Sequence, residues 1–423
     1  MRRRFLRIHN FSVFLLALFL LLSISEVSQA NDLVFQLNNE GLTILSNNQF
    51  QLGPVTLFFH PWLYTQLELE QNETSFGLKE GGLDLGIGSL HLTIGRQLNS
   101  FGPGRYAFPL LAPLGDGLTA EGLDQIAYAF STKRLTYKKL YAWVPLHDEF
   151  RILLGQRATY DLGPFTFGFG ETALVKKGVP DYYYLPIPLV PVAVYQLFDD
   201  HYLDAAAGEK ALKIRAEVDL TLHLGPNFKL YGGYLIDERP LPAWLDGTAF
   251  TKGDAQTGNH KPWKVGYQAG GEWNRPLGIN GLKFYTEYTR INQYTYTTED
   301  PFFTYTYKGH LLGGPLGPDS DLLNLELVTT GNEIWTFALA YNRKRQGEGR
   351  IGDQWSGQPG QAEVFLTGTV ETTDQLALTA TKRMGLADQV TLTMSLARIT
   401  NNDHQPGAVA LRPEITFTAQ ISW

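Results

Sequence analysis

Nine histidines and no cysteine are a poor endowment for catalysis. Without a thiol there is no disulfide, no thiolate metal site and no cysteine nucleophile. A serine nucleophile needs a histidine within reach. Here the histidines are scattered, and no serine sits in a recognisable nucleophile setting. Asp199 and Asp200 are adjacent along the chain, a placement that suits solvation rather than a shared proton. Asp319 and Asp321 could share a hard cation, but a full site needs about six or more oxygens and few others lie nearby. The sequence therefore predicts a non-enzymatic protein with no metal and no cofactor.

The chain does carry the groups that recognise sugars, which are aromatic faces for the C–H side of the ring and charged or amide groups for the hydroxyls. Tyr182, Tyr183, Tyr184, Trp244, Tyr294, Tyr296, Tyr305 and Tyr307 fall in predicted connections. So do Lys308, His310, Asp319, Asp321, and the basic run Arg343-Lys344-Arg345 with Arg350 and Trp355 beyond it. The basic run ends a predicted strand and opens a long Gly-rich connection, and it could meet an acidic polysaccharide or lipid phosphates equally well. Two segments are rich in Gly and Pro. One holds Phe101-Gly102-Pro103-Gly104 and the other Gly313, Pro315, Gly317 and Pro318. Glycine permits positive φ and proline fixes its own, so both are rigid backbone paths, and turn chemistry alone makes them shaped turns between strands.

The elements that position these groups begin with an export signal. Arg2, Arg3, Arg4 and Arg7 form a positive start, residues 11–24 are nearly all apolar, and Ser28-Gln29-Ala30 presents small residues for cleavage after Ala30. The apolar run falls short of the roughly 20 residues that a spanning helix needs. No cysteine follows, which excludes a lipid anchor. The net charge is −7, and removing the four arginines and one glutamate (Glu26) of residues 1–30 leaves −10. That balance argues against nucleic acid as a partner.

Beyond residue 30 the apolar pattern has period two, the mark of strands with two unlike faces. In residues 212–224, Leu212, Ile214, Ala216, Val218, Leu220, Leu222 and Leu224 share one face, and Lys213, Arg215, Glu217, Asp219, Thr221 and His223 share the other. A helix would scatter these side chains around its axis. The same alternation recurs near Trp273, from Trp335 to Tyr341, from Val390 to Leu396, and in the last strand, which ends on the aromatic Trp423. Such a final strand resembles the signal read by barrel-insertion machinery. In lipid, every backbone N–H and C=O must be paired within the protein, and a closed sheet leaves no edge. The prediction is an all-β, transmembrane, antiparallel β-barrel of about 16–18 strands, 18 favoured, over residues 31–423, in the outer membrane of a diderm bacterium after Sec-type export. A connection near 181–210, Pro-rich and then Ala-rich, is expected to fold over or into the barrel with one short helix. In such a barrel a lone Tyr or Trp is more simply an interface girdle residue than a sugar contact.

The segment around Gly313-Gly314-Pro315-Leu316-Gly317-Pro318-Asp319-Ser320-Asp321 resembles the signature of the Wzi capsule-assembly family, and Phe101 to Gly104 is similar to a second feature of it. The resemblance runs loosely from about residue 51 to 423. It implies a barrel of about eighteen strands that is closed to free diffusion, binds capsular or surface polysaccharide, and helps attach the capsule without chemistry on the sugar. The alternative is a substrate-selective porin for sugars or oligosaccharides. Relatives begin with a periplasmic helical stretch, whereas residues 31–49 here show no helical period and are expected to precede the first strand. Counting strands back from Trp423, with residues 371–375 as an outer loop, places 344–361 and 309–321 on the periplasmic side, where connections are normally short.

Overall fold

Alternation this regular leaves the backbone one way to pair all its groups in lipid, and the sheet takes it. The computed structural model describes residues 30–66, 73–147, 149–176, 187–192, 212–238, 264–298, 300–330, 334–353, 365–385 and 388–422. Eighteen antiparallel strands make one closed sheet. They are β1 (Ala30–Leu37), β2 (Gly41–Leu52), β3 (Val55–Gln66), β4 (Thr74–Ile87), β5 (Leu90–Gln97), β6 (Leu123–Ser131), β7 (Leu135–Trp143), β8 (Arg151–Asp161) and β9 (Phe165–Lys176). After them come β10 (Leu212–Leu224), β11 (Phe228–Glu238), β12 (Lys264–Asn274), β13 (Leu282–Ile291), β16 (Ser320–Thr330), β17 (Trp335–Gln346), β18 (Glu371–Arg383), β19 (Gln389–Thr400) and β20 (Val409–Ser422). A two-residue hairpin, β14 (Thr306–Tyr307) with β15 (His310–Leu311), stands apart from the wall. Closure comes from β1, which pairs with β2 on one side and β20 on the other.

Residues 31–49 do not precede the first strand, as the sequence suggested; they form β1 and most of β2. The pattern was hidden by Ser46 and Asn48, buried polar residues in the middle of β2. Asn48 Nδ2 donates to Ser46 Oγ and to the Phe59 carbonyl, both at 3.0 Å, and the pairing of β2 with β3 skips from Leu45 to Asn48.

Directly opposed residues of an antiparallel pair share a face, so the register assigns every side chain to lipid or lumen. On β10 the assignment follows the alternation: Val218 and Leu220 are 47% and 41% exposed on the lipid side, while Arg215, Glu217 and Asp219 are buried on the inner side. Phe167, Tyr160, Phe337, Leu339, Leu378, Met394 and Phe417 extend the apolar belt around the outside.

The ends of the barrel differ sharply. Connections 53–54, 88–89, 132–134, 162–164 and 225–227 are tight turns, and β20 ends on that same side. The opposite end carries 98–122, 177–211, 239–263, 292–319 and 347–370. Short turns mark the periplasmic end of such barrels, so 309–319 and 347–361 lie on the outer side. This corrects the count from the sequence, which put one crossing too many between 347 and 383. Residues 371–375 are not a loop but the first part of an unbroken β18.

The connection after β9 behaves unusually. Of the segment near 181–210 only 187–192 is described, and the predicted short helix otherwise lies outside the described residues. Leu92, Tyr128, Lys139, Gln156 and Glu171 are opposed in one row across β5 to β9, on the lipid side. Yet Lys139, Gln156 and Glu171 are buried. Residues 187–192 cover them. Lys139 Nζ donates to the Ile187 carbonyl (3.3 Å), Gln156 Nε2 to the Val190 carbonyl (3.0 Å) and to Glu171 Oε2 (2.8 Å), and Val192 N–H to Glu171 Oε2 (2.6 Å). Val192 completes an apolar cluster with Ile152, Leu154, Ala173, Val175 and Leu212. A polar row facing lipid would be costly, and this strap removes it from lipid.

Candidate functional site: an eccentric lumen

Two outer connections, 98–122 and 292–319, turn inward and pack against each other and against one side of the wall. The Ala112 N–H donates to the Leu312 carbonyl (2.8 Å). A buried cluster joins Phe101, Leu110, Leu111 and Leu114 of the first to Tyr296, Phe302, Phe303, Tyr305, Leu312 and Leu316 of the second. Their seat is the inner face of β6 to β13, through Leu123, Ala127, Leu140, Leu153, Leu174, Leu235 and Ile291. Fully burying a side chain of this size contributes about 1.5–3 kcal/mol, so the two loops are fixed parts of the interior.

Glu287 of β13 holds the residues that follow Phe101-Gly102-Pro103-Gly104. Its carboxylate accepts from the backbone N–H groups of Arg105 (2.6 Å), Tyr106 (3.3 Å) and Ala107 (2.9 Å), and also from the Tyr231 hydroxyl (2.8 Å) and Gln268 Nε2 (3.2 Å). Charge-assisted bonds of this kind are about twice as strong as neutral ones. The glycines are needed for the close approach. Gly102 has φ +136° and lies over Glu217, while a Cβ on Gly104 would stand 2.2 Å from the Ala107 carbonyl oxygen.

The second loop is anchored by aromatics with polar tips. Tyr296 and Tyr305 stack at 5.7 Å with 12° between their planes. The Tyr296 hydroxyl donates to the Pro109 carbonyl (2.6 Å) and the Tyr305 hydroxyl to the Leu110 carbonyl (2.6 Å). Burial pushes the Tyr305 hydroxyl up to about 12, which keeps it a neutral donor. Arg215 lies 4.1 Å from the Tyr305 ring centre and pairs with Asp237 at 2.9 Å. Arg151 donates to the carbonyls of Phe302 (2.9 Å) and Thr304 (3.0 Å). At the rim, burial opposes the charge of Asp300, but Lys176 at 2.8 Å and the Phe302 N–H hold its carboxyl below the usual range.

The sugar-binding set named from the sequence is not brought together. Tyr305 is buried in the loop core, with Tyr307 packed against that core. Asp319, at φ +58° and fully buried, is a clamp: its carboxylate accepts from the N–H groups of Gly349 (3.1 Å), Leu366 (2.8 Å) and Thr367 (3.0 Å), tying 347–370 to the end of 292–319. Asp321 is paired with Arg345 and accepts from the Tyr288 hydroxyl (3.0 Å). Arg343 and Arg345 face outward while Lys344, between them, faces the lumen. Trp355, Tyr182, Tyr183, Tyr184 and Trp244 lie outside the described residues. Gly313 packs on the Pro109 carbonyl and the Tyr296 ring, Pro315 stands beside the buried Leu316, and Gly317 and Pro318 lend carbonyls to Ser320 Oγ and Gln346 Nε2. Lys308 and His310 do reach a cavity, of about 390 Å³, at the outer mouth. Trp62, Leu114, Asp116, Thr119 and Glu121 line it with them, and Lys308 pairs with Glu121 at 2.8 Å.

Sequence reasoning missed Glu287, Arg151, Asp237 and Trp62. The inward position of Glu287 was readable from the alternation of β13, but its backbone partners Arg105 to Ala107 lie about 180 residues away.

Opposite the loops the interior is different. Thr379 faces Thr393 (3.1 Å), Thr381 faces Thr391 (3.0 Å), and Gln375 reaches Ser395 (3.3 Å). These residues keep partial exposure on the inner side of β18 and β19. The lumen therefore has a packed half and a wetted half.

The chain is an outer-membrane barrel. No protein-family model matches it, and no curated protein matches it. In fold it is similar to the outer membrane protein OprD from Pseudomonas aeruginosa, with a TM-score of 0.50 at 11% identity over 93% of each chain. It is equally similar to Pseudomonas aeruginosa OccD3 (OpdP), with a TM-score of 0.50 at 11% identity over 93% of this chain and 90% of that one. These likenesses overturn the resemblance to the Wzi capsule-assembly family, which no family model supports. The Gly/Pro-rich motif that suggested it is made of residues that any tightly docked loop requires, as the contacts of Gly313 and Asp319 illustrate.

Proposed function

We propose that this barrel is a substrate-selective channel for small hydrophilic solutes, with sugars and short oligosaccharides among the candidates. The observation that carries the reading is the division of the lumen. Two loops are locked against β6 to β13, and the strip along β18 and β19 is left with short hydroxyl and amide side chains. Partial filling narrows a wide barrel to a passage that selects by size and by polar contact. The mouth cavity with Trp62, Lys308 and His310 gives an arriving solute an aromatic face and both signs of charge. The OprD-like fold accords with a channel, and of the two sequence readings the porin is the better supported. No reacting constellation enters this account, and the barrel works without chemistry on its solute.

Planar bilayers test it. The purified barrel should give steady single-channel steps, with a current that a permeating sugar reduces in a concentration-dependent way. Silence from well-folded barrels, together with silence after residues 99–110 are shortened, would sink the reading.

A further inference from the structure

One sector of the outer wall carries exposed arginines above its apolar belt. Up β17 the outward series is Trp335, Phe337, Leu339, Tyr341, Arg343 and Arg345, running from apolar belt through an interfacial tyrosine to cations. Arg398 of β19 lies in the same row as Arg343, with Asp374 of β18 between them. At the corresponding level β7 to β9 carry Trp143, Ile152 and Val175, the last two buried under the strap 187–192. The two carboxylates in the sector do not consume the charge of Arg343 and Arg398. Asp321 is taken by Arg345, but Asp374 accepts a 2.6 Å bond from the Tyr341 hydroxyl and stands 3.7 Å from Arg343, whose side chain is 50% exposed. Arg398 is exposed as well.

We propose that Arg343 and Arg398 bind the phosphates of a phosphorylated glycolipid in the outer leaflet. Guanidinium forks match phosphate oxygens, and the attraction is screened less at a lipid boundary than in open water. Strand spacing puts Arg343 and Arg398 about 10 Å apart at Cα, room for phosphates on one sugar headgroup. Directly below the arginines lie Tyr341, Leu376 and Leu396, with Leu339 one step further down, and the three leucines, each about half exposed, are where acyl chains of the same molecule would rest. A soluble acidic polymer would use the arginines alone and leave that apolar face uncovered; a lipid uses both. The proposal does not depend on the channel reading.

The test uses the whole barrel in phosphatidylcholine nanodiscs containing either bisphosphorylated lipid A or the same lipid stripped of phosphate. Wild type should retain the phosphorylated form roughly tenfold better after delipidation, read by native mass spectrometry. Arg343→Ala with Arg398→Ala should abolish that preference, and Arg343→Lys with Arg398→Lys should restore part of it. Heat-modified gel mobility checks that each variant is folded, with Gln in place of Ala should the alanine pair fail. Equal retention of both lipids overturns the proposal, as does an undiminished preference in the double variant. Binding of polygalacturonate through Arg343 without a lipid A preference would overturn it in favour of a polysaccharide.

Discussion

The inner faces of β7–β13 and of β17–β19 are built on one alternation and end as two different materials. Along the first, Leu140, Leu153, Thr172, Leu174, Arg215, Glu217, Leu235 and Glu287 are all within 1% of complete burial. Along the second, Gln375, Thr379, Thr381, Thr391 and Ser395 retain access to the lumen. The first face is rich in Leu, the second in Thr, Ser and Gln. What further distinguishes the first half is what lies on it, namely the loops 98–122 and 292–319 with their aromatic core. The packed half behaves as the core of a soluble protein enclosed by a membrane protein, and the wetted half as the wall of a pipe. Changes in the first should be read out in stability, and changes in the second in conduction.

The largest effect should come from Glu287→Ala. It leaves the N–H groups of Arg105, Tyr106 and Ala107 without their acceptor. Each buried donor so orphaned costs about 1–3 kcal/mol. Urea unfolding in lipid vesicles should therefore show a loss of at least roughly 3 kcal/mol, and the bilayer current should become larger and noisier as the first loop lifts. If current and midpoint both stay at wild type, the loop is held by its apolar contacts and the Glu287 anchor is dispensable.

Asp319→Asn comes next. Asparagine tolerates the positive φ of this position, so the backbone is not strained. Its amide, however, presents hydrogens to a place where the N–H groups of Gly349, Leu366 and Thr367 converge. A loss of about 1–3 kcal/mol is expected, with 347–370 becoming the first site of limited proteolysis. An unchanged cleavage pattern would remove Asp319 from the list of anchors.

The packed half is also where the outer wall is most elaborate, because the strap 187–192 lies on β7–β9 from the lipid side. Gln156 is its bridging amide, accepting from the Tyr137 hydroxyl at 2.7 Å while donating to Glu171 and to Val190. Gln156→Leu should cost about 1–2 kcal/mol and raise hydrogen exchange at Val192, whose N–H depends on Glu171. Exchange that stays slow would mean Glu171 suffices to seat the strap.

How much of this the sequence disclosed depends on the distance between partners. Period two in residues 212–224 gave the two faces of β10 correctly, because a strand's faces are a local property. Phe101 to Gly104 announced a rigid path, and it is one. Its partner Glu287 is separated from it by seven strands, β6 to β12, and no spacing rule connects them. The sidedness error had a different origin. Glu371 to Gln375 are polar and look like a loop, but they are strand residues beyond the hydrocarbon layer, where alternation no longer distinguishes lipid from water. The split of Arg343 and Arg345 from Lys344 was, by contrast, available from alternation alone.

The smallest effect, and the sharpest test of the comparison, belongs to the wetted half. Thr379 and Thr393 face each other across β18 and β19 with their hydroxyls 3.1 Å apart. Replacing both with valine keeps shape and β-propensity and removes one exposed hydrogen bond, so the unfolding midpoint should move by no more than about 0.5 kcal/mol. Thr379→Arg should be equally mild for stability, because the side chain extends into water, yet it places a cation beside the passage. Channel current should then fall for cations relative to anions, with a shift in reversal potential under a salt gradient. An equal change at Leu153 would instead push a charge into the loop core and cost several times as much stability. If Thr379→Arg unfolds the barrel, or leaves ion selectivity untouched, the passage does not run along β18 and β19, and the two halves do not differ in the way proposed.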